Sequence, residues 1–125
     1  MYSSDLPLVS VLMTAYNRQD YIAEAIESVL ASSFEDFELI IVDNFSNYDF
    51  FSLINSFNSD KIKALQNDNR GVIAANRNLG IREAQGEFIA FLDSDDLWDI
   101  HKLELSMRLF IDESVGLVYT NWYKM

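Results

Sequence analysis

The chain has 125 residues, half of them apolar, which suits one domain with a packed core rather than a disordered segment. Its formal net charge of −11 excludes binding to a nucleic-acid backbone or an anionic membrane through a basic surface, so any anionic ligand needs a metal ion or a local Arg or Lys. Cysteine is absent, so there are no disulfides or thiolate metal sites; with no apolar stretch of the ~18 residues a membrane span needs and no signal-peptide pattern, the expected location is cytoplasmic.

Strand and helix patterns alternate along the chain. Residues 8–13 predict a first strand, entered just after Pro7, the only proline. Residues 20–31 follow as a helix. Tyr21, Ile22, Ala25, Ile26, Val29 and Leu30 form its apolar stripe. Residues 37–42 predict a second, buried strand that closes on Asp43. Residues 48–57, rich in Asn and Ser, predict a weaker helix. Residues 61–65 predict a short third strand, which its lysines place near a sheet edge.

Residues 71–84 predict the next helix, with Gly86 as its C-terminal stop. The five apolar residues Phe88 to Leu92 then predict a strand covered on both faces. A helix over residues 99–112 and a fifth strand over residues 115–120 complete the pattern. Alternating β and α with right-handed crossovers gives an α/β fold: a mainly parallel sheet covered by helices on both faces. A chain that stops soon after a buried strand is expected to be the first half of something larger.

The chemistry concentrates after the fourth strand, in Asp93, Ser94, Asp95 and Asp96. Capping of the following helix accounts for one acid, but three within four residues exceed that need. Carboxylates this close repel unless solvated or neutralised, and a hard divalent cation is the usual neutraliser. A calcium loop of the EF-hand type is excluded by Leu97 and Trp98 at later ligand positions. Asp43 at the end of strand two, Thr14 to Asn17 after strand one, and Arg77 on the third helical segment each have a bland reading: turn former, core edge and surface cation. His101 reads as a surface residue. The Asn44-Phe45-Ser46 triplet matches the N-glycosylation pattern by chance, given no secretory signal. If strands two and three lie on one side of strand one and the acid strand on the other, these positions share one rim.

On these residues the chain resembles the N-terminal, nucleotide-binding half of family 2 glycosyltransferases of the GT-A, Rossmann-like fold, over nearly its whole length (1–125). The segment Pro7 to Asn17 resembles the family's opening strand, and Phe37 to Asp43 its second. Asn69-Arg70-Gly71 with Ala75-Asn76-Arg77-Asn78-Leu79-Gly80 resembles its Asn-x-Gly and Ala-Arg-Asn-x-Gly helix. Asp93-Ser94-Asp95 is similar to its metal-binding DXD motif. The resemblance implies that Thr14 and Tyr16 line the base site with Asp43, Asn44, Asn69 and Arg77 nearby. It implies that Asp93 approaches the ribose and that Asp95, with Asp93, holds Mn²⁺ or Mg²⁺. Two departures stand out. Asn44 and Phe45 replace the Asp and Gly that often follow the first Asp, and Asn76 separates Ala75 from Arg77. Asn, unlike Asp, donates as well as accepts; the expected base is uracil.

The implied reaction is metal-dependent, inverting transfer of a sugar from a nucleotide diphosphate sugar to a hydroxyl of a saccharide or lipid-linked acceptor. The catalytic base is expected beyond residue 125, and the full-length protein is expected in the cytoplasm or at the membrane periphery. Three rivals remain. A receiver-type phosphoacceptor signalling domain requires acids after strand one, where Thr14 and Ala15 stand. A haloacid-dehalogenase-type phosphatase carries its Asp-x-Asp on the first strand. A purely structural domain is the third, since fold alone does not establish chemistry.

Overall fold

The computed structural model describes residues 6–93 and 97–109. The elements run β1 (Val9–Ala15), α1 (Gln19–Leu30), β2 (Phe37–Asp43), α2 (Phe50–Asn55), β3 (Ile62–Gln66), α3 (Ile73–Glu83), β4 (Phe88–Asp93) and α4 (Lys102–Leu109). The expected fifth strand, residues 110–112 of the expected last helix, and the acids Asp95 and Asp96 lie outside the described residues.

The four strands form one parallel sheet in the order β3-β2-β1-β4. β1 and β2 are central and apolar on both faces, so they are buried throughout except for half-exposed Thr14 and Glu38. β3 is an outer strand, as its lysines predict, and Lys63 reaches Glu83 of α3 at 2.8 Å. On one face, Val9, Val11, Met13, Leu39 and Ile41 pack against Ile22, Ala25, Ile26 and Val29 of α1. Phe50 and Ile54 of α2 and Leu103 of α4 join the same core. On the other face, Leu12, Ile40 and Val42 form a smaller cluster with Leu79 of α3.

Two local readings are corrected. Gly86 is not the left-handed stop of α3, which ends at an extended Ala84 (φ −68°, ψ 133°). Gly86 is required by close approach instead: a Cβ there would stand 2.6 Å from the main-chain nitrogen of Ser10. Its N–H donates to Ser10 Oγ at 2.8 Å, fixing the entry to β4. The run Phe88 to Leu92 is not covered on both faces among the described residues. Ile89 is 38% and Phe91 51% exposed, because α3 packs over β1 and β2 and leaves that side of β4 open.

Candidate functional site

Open parallel sheets bind ligands outside the carboxyl ends of their strands, at the point where strand order reverses. Here that point lies between β1 and β4. Register brings the ends level: Thr14 pairs with Asp93 across β1 and β4, and Ala15 with Asp43 across β1 and β2. A cavity of about 560 Å³ opens there, lined by Thr14, Ala15, Tyr16, Arg18, Asn44, Asn69, Gly71, Ile73, Asn76 and Asp93.

Five of the residues singled out in the sequence therefore share one wall: Thr14, Tyr16, Asn44, Asn69 and Asp93. Tyr16 is 56% exposed, leaving its ring free to meet a flat ligand. Asp43 is placed differently. It is fully buried, and its carboxylate accepts from the N–H of Ser46 at 2.9 Å, from Ser46 Oγ at 2.5 Å and from Gln66 Nε2 at 3.1 Å. Arg77 is not among the lining residues; its guanidinium stands 5.5 Å over the ring of Phe91. Asp95 lies outside the described residues. His101 is an exposed residue beside Ser33 and Glu104.

The loops that carry the wall are laced together by short polar side chains. Asn17 accepts from the N–H of Asn47 and donates its own N–H to Ser46 Oγ, both at 2.8 Å, joining the loops after β1 and β2. Asn44 Oδ1 accepts the N–H of Asn69 at 2.9 Å and so joins the loop after β2 to the segment before α3. Asn69 Oδ1 in turn accepts the N–H of Gly71, holding the turn that starts α3. Asn17, Phe45 and Arg70, one in each of these loops, have φ near +50°. Left-handed backbone of this kind persists in non-glycine residues only where surroundings over-determine it.

Of the five lining residues not assigned to the site from the sequence (Ala15, Arg18, Gly71, Ile73 and Asn76), two carry polar side chains. Arg18 is a cation on the wall of a strongly acidic chain. The requirement that an anionic ligand find a local Arg or Lys was the signal that pointed to such a residue. Asn76 is 2% exposed and exchanges two hydrogen bonds with Asn67, at 2.8 and 3.0 Å. What reads as a departure from the family helix motif is a polar pin between α3 and the end of β3.

The donor chemistry suits a hard cation. Asp93 is an exposed residue at the cavity, and α4 begins only at Lys102. Among the described residues no three His, Cys, Asp or Glu side chains form a complete metal cage. Among the described residues Asp93 therefore offers one hard-oxygen ligand of the kind Mg²⁺ or Mn²⁺ takes.

Residues 10–125 match the profile of Glycosyl transferase family 2. The UDP-Glc:alpha-D-GlcNAc-diphosphoundecaprenol beta-1,3-glucosyltransferase WfgD of Escherichia coli is 35% identical over 115 residues, which cover 92% of this chain and 46% of that protein. The structure of S. aureus TarS 1-349 in complex with UDP-GlcNAc superposes with a TM-score of 0.75 at 31% identity, over 84% of this chain and 31% of that one. The mannosyltransferase PcManGT from Pyrobaculum calidifontis, in complex with GDP-Man and Mn²⁺, gives a TM-score of 0.80 at 22% identity, over 90% and 35%. That last likeness is one of fold. The chain spans less than half the length of each of these proteins.

Proposed function

The chain belongs to glycosyl transferase family 2, and on that membership we propose that it is the donor-binding portion of an enzyme moving a sugar from a UDP-sugar to an acceptor hydroxyl. One observation carries the reading: Tyr16, Asn44, Asn69 and Asp93 meet at one cavity where strand order reverses. Its volume falls within the range of roughly 300–1,000 Å³ usual for small-molecule sites. The donor class is supported by the UDP-Glc in the name of WfgD and the UDP-GlcNAc bound to TarS. The acceptor is a saccharide or a lipid-linked one, the latter being the class in the name of WfgD.

In this reading the ring of Tyr16 stacks on uracil, while Thr14, Asn44 and Asn69 meet its polar edge. Asp43 works from beneath, holding the loop through Ser46 and Gln66. Arg77, resting on Phe91 outside the lining, is given no contact with the base. Arg18 offsets part of the diphosphate charge. Asp93 meets the ribose side of the donor and, with Asp95, holds Mn²⁺ or Mg²⁺. When bound, the ion supplies Lewis-acid stabilisation of the charge that builds on the leaving diphosphate. The contribution of the chain itself is orientation: contacts far from the breaking bond fix where the anomeric carbon stands. Reaction with inversion needs a carboxylate base to deprotonate the acceptor, and no described residue is assigned that role. The receiver-type alternative finds no support in these relatives.

The test is calorimetric titration of UDP, with and without Mn²⁺, into the parent, Asp93→Asn and Asp95→Asn. Mn²⁺ is expected to tighten UDP binding about tenfold in the parent, or roughly 1.4 kcal/mol, and to do little in either variant. Equal affinity in all six titrations removes the metal assignment, and no binding in any removes the donor site.

A further inference from the structure

Phe45 is an expensive residue for the fold to carry. Its φ of +50° lies in the left-handed region, where a bulky L-residue is an outlier. Asn tolerates this region far better, which accounts for Asn17 and Asn58 at similar angles. The backbone cannot relax away, because it is pinned on both sides. The N–H of Asn44 donates to the carbonyl of Ala15 at 2.9 Å, and its Oδ1 holds Asn69. Ser46 is tied to Asp43 and Asn17, and the N–H of Asn47 to Asn17. Burial does not offset the strain, since Phe45 is 59% exposed. Among the described residues neither core cluster includes it, and no aromatic ring or cation stands against it.

Position supplies the reason that packing does not. Phe45 follows Asn44, which lines the cavity, and precedes Ser46, which is bonded to the segment carrying Tyr16. Phe45 is not itself among the residues lining the cavity, but it and Tyr16 are exposed aromatic residues on two laced loops beside it. Strain concentrated at a ligand rim is a reason to look for function there. We propose that Phe45 is a specificity-determining residue of this chain, its ring supplying a second aromatic contact to the nucleoside of the bound donor. The inference rests on the donor-site reading above. It assigns to a side chain what a glycine at this position would leave to solvent. Aromatic contact with a base is strong enough to matter and tolerant of geometry, because every base has a π-face.

The test uses three variants of the full chain, Phe45→Gly, Phe45→Leu and Phe45→Trp, each measured for Tm and for UDP affinity in Mn²⁺. Glycine relieves the backbone strain, so Phe45→Gly is expected to raise Tm by roughly 3 °C while weakening UDP binding about tenfold. Leucine keeps the apolar bulk and the strain but not the π-face. It is expected to leave Tm near that of the parent and to weaken UDP several-fold. Tryptophan is expected to bind within about twofold of the parent. UDP affinity unchanged in Phe45→Gly and Phe45→Leu overturns the assignment while leaving the donor site standing. Failure of the parent to bind UDP overturns both.

Discussion

The main-chain N–H of Asn69 donates to Oδ1 of Asn44 at 2.9 Å, and this bond joins the end of β2 to the start of α3 across the floor of the candidate site. With its acceptor engaged, Asn44 has its amide NH₂ left to meet a ligand. Replacing Asn44 with Ala strips the partner from a main-chain donor, a loss of about 1 kcal/mol. Replacing it with Asp keeps the acceptor. Urea denaturation is expected to place Asn44→Ala clearly below the parent and Asn44→Asp near it. UDP affinity is expected to fall in both, because both lose the donor.

Asp43 offers a harder test of the same loop. Ser46 and Gln66 direct three donors at a fully buried carboxylate. Hydrogen bonds to a charged group contribute about 1.5–3 kcal/mol each when broken singly. Asp43→Asn replaces one acceptor oxygen by a donor nitrogen facing other donors. A loss of about 2 kcal/mol or more is expected in denaturant unfolding, and stability within about 0.5 kcal/mol of the parent contradicts the account.

The two packed glycines are predicted to differ in tolerance. A Cβ at Gly86 meets main-chain atoms of Val9 and Ser10 at 2.6–2.8 Å, and backbone in a central strand cannot step aside. A Cβ at Gly80 meets Leu12 Cδ1 at 2.1 Å, the far end of a side chain that can turn. Overpacking costs about 1–3 kcal/mol, so Gly86→Ala is expected at or above the top of that range and Gly80→Ala lower. Thermal unfolding of the two variants decides the order, and the reverse order contradicts it.

Acid sensitivity has an identifiable source on the α3 side. The hydrogen bond from Lys63, and then its charge, hold the Glu83 carboxyl below the usual glutamate range. Asp49, the N-cap of α2, is likewise lowered by its bonds from Ser52. A carboxyl depressed in the folded state stabilises above its unfolded value and loses that contribution as pH falls through the folded one. Stability is therefore expected to hold near neutral pH and to decline below the ordinary carboxylate range of about 4. Lys63→Met should flatten the Glu83 part of that decline, modestly for so exposed a pair. An unchanged acid profile in that variant contradicts the assignment.

Much of the fold was legible in the residues themselves. The apolar runs that became β1 and β2 have no polar alternation to suggest another register. The Ile22-to-Val29 stripe could bury only as a helix. The edge position of β3 followed from its lysines, whereas the strand order entered only as the condition under which the strand ends share a rim, a condition the structure meets. Two things were not legible. How far β4 is covered among the described residues depends on where α3 sits, with Gly80 close against Leu12 of β1, and not on the β4 sequence alone. The loop lacing depends on Asn17, Asn44 and Asn69 finding partners 25 to 30 residues away and on Asn67 pairing with Asn76 nine residues on. In the sequence Asn44 and Asn69 read as residues near the base and Asn76 as a departure within a helix motif, and nothing local shows the pairing that Asn76 and the buried Asp43 make.

Sugar transfer by the 125-residue chain alone is expected to be weak or absent, since the base and acceptor site are proposed to lie outside it. A transfer assay with UDP-Glc and a lipid-linked acceptor checks this. Robust turnover contradicts that placement of the base while leaving the donor site intact.

The ends of β1, β2 and β4 are proposed to meet around one nucleotide diphosphate. A crystal of the chain soaked with UDP and Mn²⁺ tests it most directly. Uracil is expected against Tyr16 with its edge on Asn44 or Asn69, and the diphosphate is expected to reach an ion held at Asp93 and Asp95. Density for the nucleotide away from this cavity, or a diphosphate directed away from Asp93, contradicts it.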